Sequence, residues 1–589
     1  MVKDGGGKRG RQEGRPPSGR AYHAAAFLAI LVVAGAVYGS TLSYPFFFDD
    51  RINITENPYI RMTELSAGQV RRAVVQDSFQ MRFVSNFTFA LDHYFHGLDR
   101  RVMRLENIAL HAVSALFVYL VLAALIPGLL KDEPGKWRLF AASLLPALIW
   151  AAHPAHTQAV TYIVQRQTVM ATLGGLAAFY FYIRARTGAG RMGPLLYALS
   201  VLFFIVSAGS KEIGFTVPAV ILLFELLVMR GGGSSKRLLI PAAAVLVAFI
   251  SALLLLAGTG VLESYMSGYK DLGYGPLWRM ITECRVLISY FFIIIFPRPS
   301  MLSLEHDVVP SGGILTPWTT LPSLLIVAGI IAAAILLWKR RPLFSFLVLS
   351  FFATLAPEST FIPVELMNDQ RMYMPSLFVI VPLAAWFVTR VPLRKSVPVA
   401  LVVLVAFSAA AHLRNREWSS RVSIWKDSAE KAPEKYRPWS NLCAALIEEG
   451  RAAEALPACR KASRLSGGEK AFPLVNTAIS LIRLGRAGEA EQYLRSAAEV
   501  EPDSALARYN LGVFLEKTGE LEEAYHNYRQ AIEADAFHAD ARIGAARILA
   551  QRGQKQEALR ELETVLKLFP GNERARAELD QISRDSGAP

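Results

Sequence analysis

Apolar runs recur along residues 21–411 so closely that they leave little chain for a water-soluble core. They occupy roughly 21–43, 105–127, 139–152, 167–183, 194–208, 213–229, 238–258, 320–338, 342–357, 374–389 and 396–411. A helix that crosses a bilayer needs about 20 apolar residues, and fewer where neighbouring helices bury it. The sequence therefore predicts an all-α bundle of eleven spans. Composition agrees, with 53% hydrophobic and 19% charged residues, against about 25% charged in an average soluble domain. So apolar a chain is not disordered, and its three cysteines exclude a disulfide-built scaffold.

One further apolar stretch, Val286–Phe296, lies between Arg285 and Pro297. If it spanned, Lys339-Arg340-Arg341 would fall on the outer side, against the excess of Lys and Arg expected on inner loops. It is read instead as interfacial. Residues 1–20 then form a basic, disordered cytoplasmic tail, and an odd number of spans sends the C-terminal body to the outer side. Residues 21–412 make the membrane domain, with a first outer loop at 44–104 and a large outer segment at 259–318. The expected place is a bacterial inner membrane with the C-terminal body in the periplasm. No nucleic-acid partner is expected, because the basic tail has no soluble domain behind it on its side.

The C-terminal body is different in kind. From Leu413 to Pro589 there are 27 Lys+Arg and 27 Asp+Glu, so the formal charge of +14 lies entirely in the first 412 residues. GRAAEA at Gly450 returns as GRAGEA at Gly485, GELEEA at Gly519 and GQKQEA at Gly553, with spacings of 35, 34 and 34 residues. That is the period of a tetratricopeptide repeat. Seven residues before each glycine stands Cys443, Ala478, Gly512 or Ala546, and five after it Ala455, Ala490, Ala524 or Ala558. Small residues there let two helices of a hairpin approach closely. Four repeats are expected over 437–572, a half-repeat linker at 413–436, and a capping helix at 573–589. Such stacks offer concave surfaces for peptides or proteins; a passive spacer is the alternative. Cys443 and Cys459 straddle one hairpin turn and could form a disulfide in an oxidising compartment or stay as two buried thiols.

Chemistry-bearing residues gather at the outer ends of the runs. FFFDDRINITENPYI follows the first span, placing Asp49 and Asp50 at the membrane surface, where acids are costly to desolvate. One carboxylate can raise its neighbour's pKa and make a general base; solvated acids in an Asx turn are the bland alternative. His153, His156 and Arg166 lie in AAHPAHTQAVTYIVQRQ, Lys211 and Glu212 in SAGSKEIGF, Arg285 beside the interfacial run, His306 and Asp307 in LSLEHDVVP, and Arg371 in ELMNDQRMYMPS. Arginine and lysine at an interface suit a lipid phosphate. The histidines could instead cap a helix, Lys211 and Glu212 pair locally, and Arg371 snorkel. The residues make no cofactor certain; a divalent metal is possible, with Asp49, Asp50, His306 and Asp307 as a weak ligand set. No phosphate-binding glycine loop or nucleophile elbow is present.

The order of these motifs, from the acidic pair and NPYI through HPAHTQAV, KEIGF, PRPSMLSLEHD and RMYMPS to the repeats, resembles one family. It is the transmembrane and tetratricopeptide-repeat O-mannosyltransferases and their bacterial relatives, within the GT-C membrane glycosyltransferases. The resemblance implies transfer of a sugar, with inversion, from a polyprenyl-phosphate donor to a protein or glycan acceptor bound by the repeats on the outer side. It implies that Asp49 or Asp50 is the base. Arg371, Lys211, Arg166 and Arg285 are the candidates for the donor phosphate, supported by His153, His156, Glu212, His306 and Asp307. An array of four repeats is shorter than in animal members. Two other readings compete: a polyprenyl-diphosphate oligosaccharide ligase or polymerase, and a non-catalytic membrane-anchored repeat scaffold.

Overall fold

The computed structural model describes residues 19–75, 82–130, 135–188, 190–229, 247, 268–271 and 273–584. Among them the chain is all-helical, with one isolated bridge between Gly313 and Thr316 in place of a sheet. Six helices are long and apolar enough to cross a membrane: Arg20–Ser43, Arg100–Leu129, Ile163–Arg186, Gly190–Ala208, Asp369–Arg390 and Leu393–Glu417. A seventh is a pair, Lys136–Ala151 and Pro154–Thr161, bent by 53°.

Eleven spans were expected, and the count falls to six or seven among the described residues. The reason is local. An apolar run is not the same length as the helix within it. The run at 213–229 is broken by the 3₁₀ turn Glu212–Thr216, which leaves only Val217–Leu227 as α-helix. Thr320–Leu336 and Pro342–Leu355 have 17 and 14 residues. The run at 238–258 lies outside the described residues save Val247. Val286–Phe296 proves to be the end of a 20-residue helix, Pro276–Ile295, whose first half carries Arg279, Glu283 and Arg285.

The repeats follow their spacing. Hairpins form from Tyr436–Glu448 with Ala452–Leu465, Ala471–Arg483 with Ala487–Val500, Ala505–Thr518 with Leu521–Ala534, and Ala539–Gln551 with Lys555–Leu568. The small residues at the two recurring positions are all buried, as the close approach of paired helices requires. At each hairpin turn the glycine is left-handed: φ is 76° at Gly450, 77° at Gly485, 92° at Gly519 and 80° at Gly553, a conformation that costs a side chain-bearing residue energy. Cys443 and Cys459 are joined by a disulfide across the first hairpin.

The array does not hang free of the membrane body. Phe47, Ile54 and Tyr162 share one apolar cluster with Trp418, Trp425 and Leu446. The Phe47 ring meets Trp418 edge-on at 5.0 Å, and Phe48 meets Trp425 at 5.6 Å. The segment that begins the array is thus packed on the loop carrying the acidic pair.

Candidate functional site around Asp49

The first span ends in a 3₁₀ turn, Gly39–Ser43, and the chain leaves it through Tyr44 and Pro45. Both carbonyls are gripped by the Arg104 guanidinium, whose Nε also donates to the Thr161 carbonyl at 3.2 Å. With the exit fixed in this way, Phe48–Asp50 form one short turn.

The two acids then separate in role. Asp50 is fully buried. Its Oδ2 accepts the Phe47 N–H at 2.9 Å and its Oδ1 the Val164 N–H at 2.8 Å. Burial pushes its pKa up to about 7, although both amides and Arg104 oppose the rise. Asp49 is only partly buried. Its backbone N–H donates to the Tyr162 hydroxyl oxygen at 2.5 Å. Burial raises its carboxyl, while Tyr162, Arg437 and Arg82 pull it back. One acid closes a turn; the other faces cations.

Arg82, Lys211 and Arg371 are each held in ion pairs. Arg82 makes two bonds to Glu212, at 2.9 and 3.2 Å, and one to Gln167 at 2.7 Å. Lys211 Nζ donates to Thr168 Oγ1 at 3.1 Å and pairs with Glu358 at 3.0 Å. The other Glu358 oxygen lies 3.8 Å from Arg371 Nε. That nitrogen is buried without a hydrogen-bond partner, while Nη1 donates to the Leu366 carbonyl at 3.0 Å. Burial would raise Glu358, but Lys211 and Arg371 outweigh it and hold its carboxyl below the usual range. Two almost fully buried cations on one carboxylate leave a net positive charge, suited to an arriving phosphate.

Lys211, Glu212 and Arg371 are therefore drawn together. Glu358 was missed in the sequence, although an acid closing an apolar run, as in ATLAPEST, is the same signal that marked Lys211 and Glu212.

The other candidates are spent elsewhere. Arg166 donates to Asn107 at 2.9 Å, Asp92 at 2.6 Å, Glu106 at 2.7 Å and the Met103 carbonyl at 3.2 Å. Its guanidinium is saturated and serves as an internal strut. His153 accepts from the Ala155 N–H at 3.2 Å and reaches the Ile294 carbonyl at 2.9 Å, and His156 lies 3.0 Å from Ser376 Oγ. Both histidines are fully buried, His153 capping the Pro154–His156 turn, which is the capping alternative, and His156 packed between Trp150 and Tyr373. Arg285 donates to the Val309 carbonyl at 2.8 Å and lines a separate cavity of about 360 Å³ with His306, Asp307 and Lys431.

The expected metal set does not assemble. Both Asp50 oxygens are occupied by amides, His306 Nε2 is bonded to Asp369 Oδ1 at 2.8 Å, and Asp307 is exposed. Among the described residues the one group with metal-like spacing is Asp92, His96 and Glu106, and Arg166 already holds both of its carboxylates.

Comparison with known proteins bears on the repeats and on the chain as a whole. Two tetratricopeptide-repeat family models match residues 475–525 and 518–582. A Caenorhabditis elegans protein named protein O-mannosyl-transferase F38B6.6 is 21% identical over 446 residues, covering 72% of this chain and 60% of the relative. Human protein O-mannosyl-transferase TMTC4 is 31% identical over 148 residues, covering 24% of this chain and 20% of its own. The chain thus spans about three fifths, at most, of the length of these two relatives. The crystal structure of YrrB, titled a TPR protein with an unusual peptide-binding site, matches 30% of this chain and 90% of its own at 21% identity, with a TM-score of 0.23.

Proposed function

We propose that this membrane protein, homologous to proteins named O-mannosyl-transferases and carrying tetratricopeptide repeats, is a glycosyltransferase of the GT-C type. It moves a sugar from a polyprenyl-phosphate to an acceptor hydroxyl on the outer face of the membrane. Residues 21–412 form the catalytic body and 437–572 the acceptor-binding array. The observation that carries the reading is the unequal use of the acidic pair. Asp50 has given both oxygens to backbone amides, whereas Asp49 is only partly buried and feels the charge of Arg82 and Arg437, each held by other carboxylates.

In this reading Asp49 takes the proton from the acceptor hydroxyl as its oxygen attacks the anomeric carbon. The bond from that carbon to the phosphate oxygen breaks, the configuration inverts, and polyprenyl phosphate leaves with the electron pair. Lys211 and Arg371 receive the growing charge, and such preorganised electrostatic help is usually a large contribution. An apolar cavity of about 250 Å³ has Val217, Gly175 and Met374 in its lining. Met374 stands three residues from Arg371, so a lipid tail would enter beside its own phosphate. The disulfide fits an oxidising, outer compartment, the bacterial periplasm in this proposal, with the N-terminal tail in the cytoplasm. The acceptor is a protein hydroxyl, which suits both the repeats and the relatives' names.

Purified protein in bilayer discs, given a Ser/Thr-rich peptide and either polyprenyl-phosphate mannose or a polyprenyl-diphosphate glycan, tests the proposal. Consumption of the monophosphate donor with a mass gain of one hexose on the peptide supports it. Consumption of the diphosphate alone would assign a ligase or polymerase, and consumption of neither donor would leave a scaffold.

A further inference from the structure

Arg437 is the second residue of the first repeat helix, yet it lies against the membrane body. Its Nε donates to Glu305 Oε2 at 2.9 Å and its Nη2 pairs with Glu365 Oε1 at 2.6 Å. Glu305 adjoins His306 in the loop after Met301, and Glu365 lies six residues before Arg371. A planar guanidinium with fixed donors can hold two carboxylates in a set geometry that an ammonium cannot. Burial would raise Glu365, but Arg437 and Lys435 outweigh it and hold its carboxyl below the usual value.

Neighbouring residues grip the same parts of the body. Lys431 donates to the carbonyls of Pro299 at 3.1 Å and Leu302 at 2.7 Å. Arg421 Nε donates to the Phe46 carbonyl at 3.0 Å, three residues before Asp49. The helices Arg421–Lys431 and Tyr436–Glu448 therefore hold the first outer loop from one side and the loops of Glu305 and Glu365 from the other.

We infer that Arg437 is a positioning residue of the transfer site: it clamps the Glu305 and Glu365 loops together and presents positive charge to Asp49, making the array's first helix a wall of the site. The inference rests on the glycosyl-transfer reading for its catalytic half only. Tyr162 is hydrogen-bonded to Asp49, and the charges of Asp50, Arg82, Glu365 and Arg437 are felt there. Removing Arg437 deletes a cation and also leaves Glu365 with only Lys435 and Arg371 to offset its charge. Both changes disfavour an ionised Asp49, so the acid limb of the rate–pH profile must move upward.

Full-length wild type, Arg437→Ala and Arg437→Lys in bilayer discs test this with polyprenyl-phosphate mannose and an acceptor peptide over pH 5–8. Arg437→Ala should shift the acid limb up by about half a unit and lower kcat on that limb by up to about threefold. Arg437→Lys should restore the limb while leaving the clamp loose. Amide hydrogen exchange of residues 298–308 and 356–368, read without donor, should quicken about tenfold in both variants. An unchanged limb in a folded Arg437→Ala protein would overturn the electrostatic half. Unchanged exchange would overturn the clamp. Should wild type consume no donor, the transfer reading falls and takes the electrostatic half with it, while the exchange data still decide the clamp.

Discussion

Asp50 Oδ1 accepts the backbone N–H of Val164 at 2.8 Å, tying the loop after the first long apolar helix to a turn 114 residues further along the chain. Its second oxygen holds the Phe47 amide. Asp50→Ala strands two amide donors and should destabilise the protein by about 1–3 kcal/mol for each that stays buried. Asp49→Asn breaks no backbone cap and should change stability by no more than about 0.5 kcal/mol. Thermal unfolding in detergent separates the two acids: a large shift for Asp49→Asn, or none for Asp50→Ala, would reverse the assignment.

A pH dependence follows from the same burial. Asp50 titrates at about 7 in the folded protein, above the ordinary carboxyl value near 4. A group raised by folding contributes its stability fully below the unfolded pKa and loses it as pH rises through the folded value. Stability of the wild type should therefore fall between about pH 4 and pH 7. Asp50→Asn should flatten that part of the curve. Equal slopes in the two proteins would contradict the burial of an acid at this position.

Glu358 is the counter-ion of Lys211 and Arg371. Breaking a buried ion pair from one side leaves an uncompensated charge and typically costs about 3–5 kcal/mol. Glu358→Gln should destabilise within that range, and adding Lys211→Met should recover part of the loss. A double variant that is simply the sum of two losses would show that the three groups are not one unit.

Within the array, Tyr528 fills space left by two glycines. A Cβ on Gly544 would lie 2.6 Å from Tyr528 Cζ, and one on Gly512 2.9 Å from the ring. Tyr528 is held in place by its hydroxyl, which donates to Glu516 at 2.6 Å. Gly544→Ala should destabilise the array by about 1–3 kcal/mol through overpacking. Adding Tyr528→Phe, which frees the ring from Glu516, should relieve some of that cost in thermal unfolding of the full chain.

Local periodicity made the repeats legible. A glycine every 34 or 35 residues, with small residues seven before and five after, is enough to place hairpins and their contacts. The acidic pair stood out for a related reason, since few uses exist for two acids beside an apolar run, but its split into one capping and one partly buried acid did not. The number of spans was not legible, because hydropathy does not show the break at Glu212–Thr216 or where the helices Thr320–Leu336 and Pro342–Leu355 stop short. Nor were the fates of Arg166, His153 and His156. Each is decided by partners distant in sequence, such as Asp92 and Asn107 for Arg166 and Ser376 for His156. Arg437 escaped notice because repeat helices routinely carry surface arginines, and only its partners Glu305 and Glu365 set it apart.

The roles of Asp49 and Asp50 are tested most directly by turnover of polyprenyl-phosphate mannose on a hydroxyl-bearing peptide by purified wild type, Asp49→Asn and Asp50→Asn. Loss of a general base predicts a fall in kcat of about 10²–10⁴-fold for Asp49→Asn with little change in thermal midpoint. Asp50→Asn should keep more activity while losing stability. Near-wild-type turnover by folded Asp49→Asn would contradict the account.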